Sequence, residues 1–256
     1  MSDAAQTTLD ALVAMSLEIG RPERDLVILG EGNTSADVGD GTFWIKASGT
    51  QLPFAAPDCF VRMHTEPVCA IAERPSCTDD EFKSLLEAAR VDTATTLRPS
   101  TETVLHALAI HEMGVRFIAH THPVAVNAIM CSIYAEEAVR GRLFPDEIVV
   151  CGPAPAYVPY TDPGFELAVA VRRTMHSYAD EWGMAPKVIV MQNHGLIALG
   201  GSPQEVDNIT AMYVKTCRVL LGTYAVGGPH FLEDENVDRI HTRPDEGYRR
   251  RALHIE

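Results

Sequence analysis

The stretch Val115-Arg116-Phe117-Ile118-Ala119-His120-Thr121-His122-Pro123 constrains this chain more than any other. Its apolar start reads as a buried strand. In a strand, residues i and i+2 point to one face, so His120 and His122 project together from the strand end. Pro123 then stops the strand, and its fixed φ suits the first turn of a helix. Two imidazoles side by side in a buried setting must each find a polar partner or a metal. A third histidine, His194, ends the apolar run Val188-Ile189-Val190-Met191-Gln192-Asn193 and precedes Gly195, which permits a sharp turn. Three histidines with one open position are a common way of holding a catalytic zinc. The alternative is that each is a satisfied structural histidine.

Around these strands the pattern is mixed. Helical spacing runs from about residue 7 to 20, from Thr78 toward Arg90 behind a capping box with Glu81, over Glu102 to Met113, from Pro123 to about Ser132, over Phe165 to Tyr178, and from Ser202 to about Leu221. Strands are predicted at Leu26 to Leu29, Thr42 to Ala47, Phe60 to Met63, Ile148 to Val150, Val188 to Gln192 and Leu196 to Leu199. The expectation is an α/β layered domain with a mainly antiparallel sheet over residues 1–225, and a charged, irregular tail over 226–256.

Composition narrows the partners. With 21 Lys+Arg against 35 Asp+Glu the net charge is −14, which argues against a nucleic-acid surface but leaves room for a small anion held by backbone N–H groups. The six cysteines form no CxxC and read mostly as small buried hydrophobes, which fits a reducing cytoplasm. Neither a signal peptide nor a membrane span is expected.

Further candidates flank the histidines. Glu102 opens a predicted helix, where it is either a capping carboxylate or a general base facing a metal. His106, one turn on, is either a spare ligand or a half-buried structural residue. Gly30 to Ser35, Ser48-Gly49-Thr50 and Ser100-Thr101 each combine free N–H groups with hydroxyl or amide donors. Singly they are ordinary turns; together they can cradle a phosphate.

Taken in order, Gly32-Asn33-Thr34-Ser35, Ser48-Gly49, Pro99-Ser100-Thr101-Glu102, His120-Thr121-His122-Pro123 and Gln192-Asn193-His194-Gly195 resemble the class II aldolase/adducin family over roughly residues 8 to 225. The resemblance implies a three-layer α/β/α domain with a mainly antiparallel central sheet, assembled as a homotetramer with active sites between subunits. It implies Zn²⁺ (with Mn²⁺ or Fe²⁺ as alternatives) on His120, His122 and His194, Glu102 as the acid/base, and Asn33, Ser48, Gly49, Ser100 and Thr101 on a substrate phosphate. The implied activity is cleavage of a ketose 1-phosphate to dihydroxyacetone phosphate and an aldehyde through a zinc-stabilised enediolate. The same scaffold also serves pentulose-phosphate 4-epimerases, decarboxylases and non-catalytic adducin-like modules. Some relatives use a tyrosine from a neighbouring subunit, in the segment before Ile148, whereas this chain has none between Tyr134 and Tyr157 and resembles more closely the rhamnulose-phosphate relatives, which place a glutamate in this region. Asp146 and Glu147 stand there instead. Each is a candidate second acid/base, or a solvated loop acid.

Overall fold

The computed structural model describes residues 2–245, 247 and 248. Seven strands form one sheet: β1 Asn33–Asp37, β2 Thr42–Lys46, β3 Phe60–His64, β4 Phe117–Thr121, β5 Ala156–Val158, β6 Val188–Met191 and β7 Gly195–Gly200. Their order across the sheet is β3-β2-β1-β4-β7-β6-β5. Every pairing is antiparallel except that of β5 with β6.

Strand alternation builds two cores. Ala36, Trp44, Phe117, Ala119, Val190 and Ala198 face helices α1 (Asp3–Ile19), α5 (Val124–Met130), α6 (Ala135–Ala138), α7 (Pro145–Cys151), α9 (Pro203–Tyr224) and α10 (Asp234–Thr242). Phe43, Ile45, Ile118, Ile189, Ile197 and Leu199 face α2 (Thr65–Cys69), α3 (Asp79–Ala88), α4 (Thr103–Met113) and α8 (Phe165–Trp182). The result is the expected three-layer α/β/α sandwich. The helix starts follow the predicted caps. Thr78 and Glu81 form a reciprocal capping box, and Ser202 accepts from Glu205 N ahead of Pro203.

Four expectations are corrected. Leu26 to Leu29 is not a strand: its backbone turns at Leu29 (φ 51°), and the strand begins instead at Asn33, inside the segment read as a turn. Ile148 to Val150 is not a strand but lies inside α7, with Pro145 in its first turn. The tail is not irregular throughout, because Val237 and Ile240 of α10 are buried in the first core. Arg249-Arg250-Arg251 lies outside the described residues. Three cysteines, Cys69, Cys151 and Cys217, are buried, whereas Cys131 is exposed. No helix among the described residues is long and apolar enough to cross a membrane.

Candidate metal and acid/base site

Ile118 packs toward α4, so His120, two residues on, points to the same face. His122 follows just beyond the end of β4. The turn between β6 and β7 delivers His194 beside them; Asn193 takes the left-handed conformation that asparagine tolerates (φ 55°). Two glycines make the approach possible. A Cβ on Gly32 would lie 2.6 Å from His120 O, and one on Gly195 would lie 2.5 Å from Thr121 O and 2.7 Å from the His122 ring. The three ring centroids are 4.7, 4.9 and 5.2 Å apart, and their ligand nitrogens lie within 4.8 Å of one another.

Hydrogen bonding fixes how the rings are presented. His120 Nδ1 lies 3.0 Å from Leu196 O, a carbonyl that can only accept, so Nδ1 carries the proton and Nε2 the lone pair. His122 Nδ1 faces Glu31 Oε1 at 3.6 Å, and its Nε2 turns inward. The two Nε2 atoms are 2.9 Å apart, close enough for His122 Nε2–H to donate to the His120 lone pair in the metal-free protein, and both stand where one cation could take them as ligands. Burial lowers the basicity of His120, and burial with the neighbouring rings brings His122 down to about 4. Both are neutral near pH 7, as metal binding requires.

Glu102 sits immediately before α4, and its side chain makes no capping bond; Ser100 Oγ accepts its N–H instead, at 3.2 Å. The capping reading of this carboxylate therefore falls. Its Oε1 is 3.0 Å from His194 Nε2, and its Oε2 is 3.4 Å from His120 Nε2 and 2.5 Å from Asn33 Nδ2. Burial raises its pKa, but the His120 ring, His194 and the Asn33 bond outweigh that and hold it well below the usual carboxylate range.

The proposed phosphate residues converge on one turn. Ser48 N donates to Arg98 O at 2.8 Å, and Ala47 bridges to Pro99, which sets Ser48-Gly49 against Ser100-Thr101. Asn33 Nδ2 reaches Ser100 Oγ at 3.3 Å. A cleft of about 370 Å³ opens there, lined by Ser48 and Thr101 with Lys83 and Arg98, and also by Asp79 and Glu87.

Asp146 and Glu147 are not brought to this cluster. Glu147 is 1% exposed, with Oε1 at 2.6 Å from Arg142 Nη1 and Oε2 accepting from Leu143 N at 2.8 Å. It faces Tyr213 and Cys217 in the opposite core. Burial raises its pKa, with Arg142 opposing. Glu147 is a structural partner of Arg142, not a loop acid, and Asp146 lies beside it on the same helix.

Two residues escaped the sequence reading, and a third was misjudged. Glu31 backs His122. Lys46, buried at the end of β2, donates to Thr50 O at 2.7 Å and so braces the Ser48-Gly49 turn. His106 is not half-buried but fully buried, 2.7 Å from Ser35 Oγ and 2.5 Å from Asn33 Oδ1, and burial lowers its pKa to about 3. A charged residue inside an apolar strand was the available signal for Lys46.

Comparison with known proteins agrees with this geometry. Residues 10–221 match the family described as Class II Aldolase and Adducin N-terminal domain. Among solved structures, the N-terminal class II aldolase domain of a conserved protein from Thermoplasma acidophilum is 23% identical, with a TM-score of 0.67 over 86% of this chain and 94% of its own. YgbL from Klebsiella pneumoniae, a candidate aldolase/epimerase/decarboxylase, is 18% identical with a TM-score of 0.70, over 92% of this chain and 98% of its own. An L-fuculose 1-phosphate aldolase is 17% identical with a TM-score of 0.70, over 94% and 98%. At these identities the likeness is one of fold. Nothing matches among curated proteins.

Proposed function

The chain belongs to the class II aldolase and adducin family, and from that premise we propose that it is a metal-dependent aldolase that cleaves a ketose 1-phosphate to dihydroxyacetone phosphate and an aldehyde. One observation carries this reading: the ligand nitrogens of His120, His122 and His194 lie within 4.8 Å of one another, with the Glu102 carboxylate beside them. Three imidazoles converging in this way suit zinc. A zinc ion there supplies Lewis-acid stabilisation of the negative charge that carbon–carbon cleavage leaves beside a ketone.

The protein's own groups do the rest. Ser48, Gly49, Ser100 and Thr101, with Asn33 alongside, hold the phosphate and so fix the ketose carbons relative to Glu102. Glu102 carries a proton to or from the carbon next to the carbonyl, which requires it to be ionised and within hydrogen-bond reach. Its low proton affinity meets the first condition, and its place between His120 and His194 supports the second. Exposed Ile28 and Val124 (each 62% exposed) line a cleft with His122, which supports a neighbouring subunit covering this side of the site; the assembly proposed is a homotetramer whose neighbouring subunit supplies the second acid/base.

The test is release of dihydroxyacetone phosphate from a panel of ketose 1-phosphates by zinc-loaded protein, with Glu102→Gln as control. Release that requires both metal and Glu102 establishes the reaction. No release from metal-replete protein replaces it with 4-epimerisation of a pentulose phosphate or decarboxylation of a 3-oxo acid at the same residues.

A further inference from the structure

Behind the proposed catalytic carboxylate runs a line of side chains, of which the chemistry above uses only Asn33. Ser35 Oγ is 2.7 Å from His106 Nδ1, His106 Nε2 is 2.5 Å from Asn33 Oδ1, and Asn33 Nδ2 is 2.5 Å from Glu102 Oε2. Asn33 and Ser35 are i and i+2 on β1 and therefore share the face that α4 covers. His106 reaches them from the second turn of α4. Ser35 and His106 are both 0% exposed.

The direction of each bond follows from what each atom can do. An ionised Glu102 only accepts, so Asn33 must offer it Nδ2 and turn Oδ1 toward His106. An amide oxygen also only accepts, so the His106 proton sits on Nε2. In a neutral ring Nδ1 then holds the lone pair, and Ser35 donates its hydroxyl proton to it. Three donors in series thus point at one carboxylate oxygen. The other tautomer, with the proton on Nδ1, would draw an Asn33 N–H onto His106 and set the amide oxygen against Glu102. That leaves two buried acceptors facing each other with no proton between them, an arrangement that costs free energy.

We propose that His106 is a positioning residue for Glu102: its Nε2–H fixes the rotamer of the Asn33 amide, and the amide fixes Oε2 of the carboxylate. The inference rests on the reading of Glu102 as the acid/base. Neither His106 nor Ser35 touches the three metal histidines through any hydrogen bond in the line, so loss of His106 leaves metal affinity intact.

The experiment uses the full chain loaded with zinc. With histidine ring nitrogens labelled, the His106 signals are assigned by their loss in His106→Gln. The expected pattern is the neutral Nε2–H tautomer with slow exchange of that proton; the Nδ1–H tautomer overturns the proposal. In parallel, exchange of solvent deuterium into dihydroxyacetone phosphate alone reports the step assigned to Glu102. His106→Met, which fills the space without a donor, is expected to lower kcat about 10–100-fold with KM within about twofold. Zinc affinity by chelator competition should not change. His106→Gln, which keeps an N–H near the Nε2 position, should recover most of the rate. Equal rates in His106→Met and the unaltered protein, or equal losses in His106→Met and His106→Gln, overturn the proposal, the second because it means that only the ring's bulk matters. If the unaltered protein exchanges no deuterium, the aldolase reading fails, while the tautomer measurement still decides how the amide is held.

Discussion

Glu102 Oε1 and His194 Nε2 are 3.0 Å apart, so the carboxylate and a metal histidine share one small space. Their roles separate on substitution. Glu102→Gln preserves shape and removes the charge. It should retain zinc and lose turnover by about 10²–10⁴-fold, the usual worth of a positioned acid or base. His194→Ala and His120→Ala remove a ligand. Each should weaken zinc by more than the roughly 10–100-fold that loss of an outer-shell partner costs. Metal content by chelator competition and turnover, measured on the same samples, check both. Full activity in Glu102→Gln would remove Glu102 from the mechanism.

Gly195→Ala tests how closely the strand ends must approach. The added Cβ would meet Thr121 O at 2.5 Å, His122 Cδ2 at 2.7 Å and His120 Cε1 at 3.3 Å. A backbone oxygen does not yield as a flexible side chain does, so β7 must move away from β4. The expected cost is about 1–3 kcal/mol of stability, together with weaker zinc binding because two ligands shift. Gly222→Ala, with nothing within 4 Å of its Cβ, is the control. Matching zinc affinities in the two variants would show that the approach is not essential.

The features most legible in sequence were those carried by periodicity and caps. His120 and His122 share a face because a strand repeats every two residues, and α3 and α9 begin where Thr78 and Ser202 cap them. What escaped was structure built on buried polar residues. β1 begins Asn33-Thr34-Ser35, which reads as a turn, yet all three are buried: Thr34 Oγ1 meets Ser16 Oγ at 2.6 Å, and Ser35 meets His106. Hydrophobic alternation cannot register a strand whose inward residues are satisfied by hydrogen bonds. Ile148-Val149-Val150 failed in the opposite sense. Its β-branched run favours a strand locally, but Pro145 starts a helix there and α9 and α10 pack against it.

Acid should destabilise the metal-free protein through its buried histidines. His106 is held neutral, with its pKa lowered from 6.5 to about 3 by burial. Between those values the unfolded chain binds a proton that the folded one does not, so stability rises with pH. The contribution is complete above pH 6.5 and is lost as pH falls toward 3. Each such group gives a slope of up to about 1.4 kcal/mol per pH unit. His120 and His122 shift in the same direction. Urea midpoints should therefore be lower at pH 5 than at pH 7.5, and the difference should shrink in His106→Gln. An undiminished difference in that variant would mean that other groups account for it.

The Arg142–Glu147 pair decides whether the segment before Ile148 is chemical or structural. The two side chains are 4 and 1% exposed and 2.6 Å apart; Arg142 also donates to Val139 O, and Leu143 N donates to Glu147. Removing one partner strands a charge in the core under α9. Arg142→Met should therefore destabilise the fold by about 3–5 kcal/mol in urea titrations. Replacing both as Arg142→Met with Glu147→Leu should cost far less, because no unpaired charge remains. Glu147→Gln keeps the acceptor for Leu143 N and should leave zinc affinity and the rate per folded molecule unchanged. A second acid/base at this position would behave in the opposite way, with stability nearly intact and turnover down by about 10²-fold or more. Measuring stability and rate on the same Glu147→Gln sample separates the two roles, since a buried ion pair and a proton donor cannot both leave the rate unaltered when the carboxylate is lost.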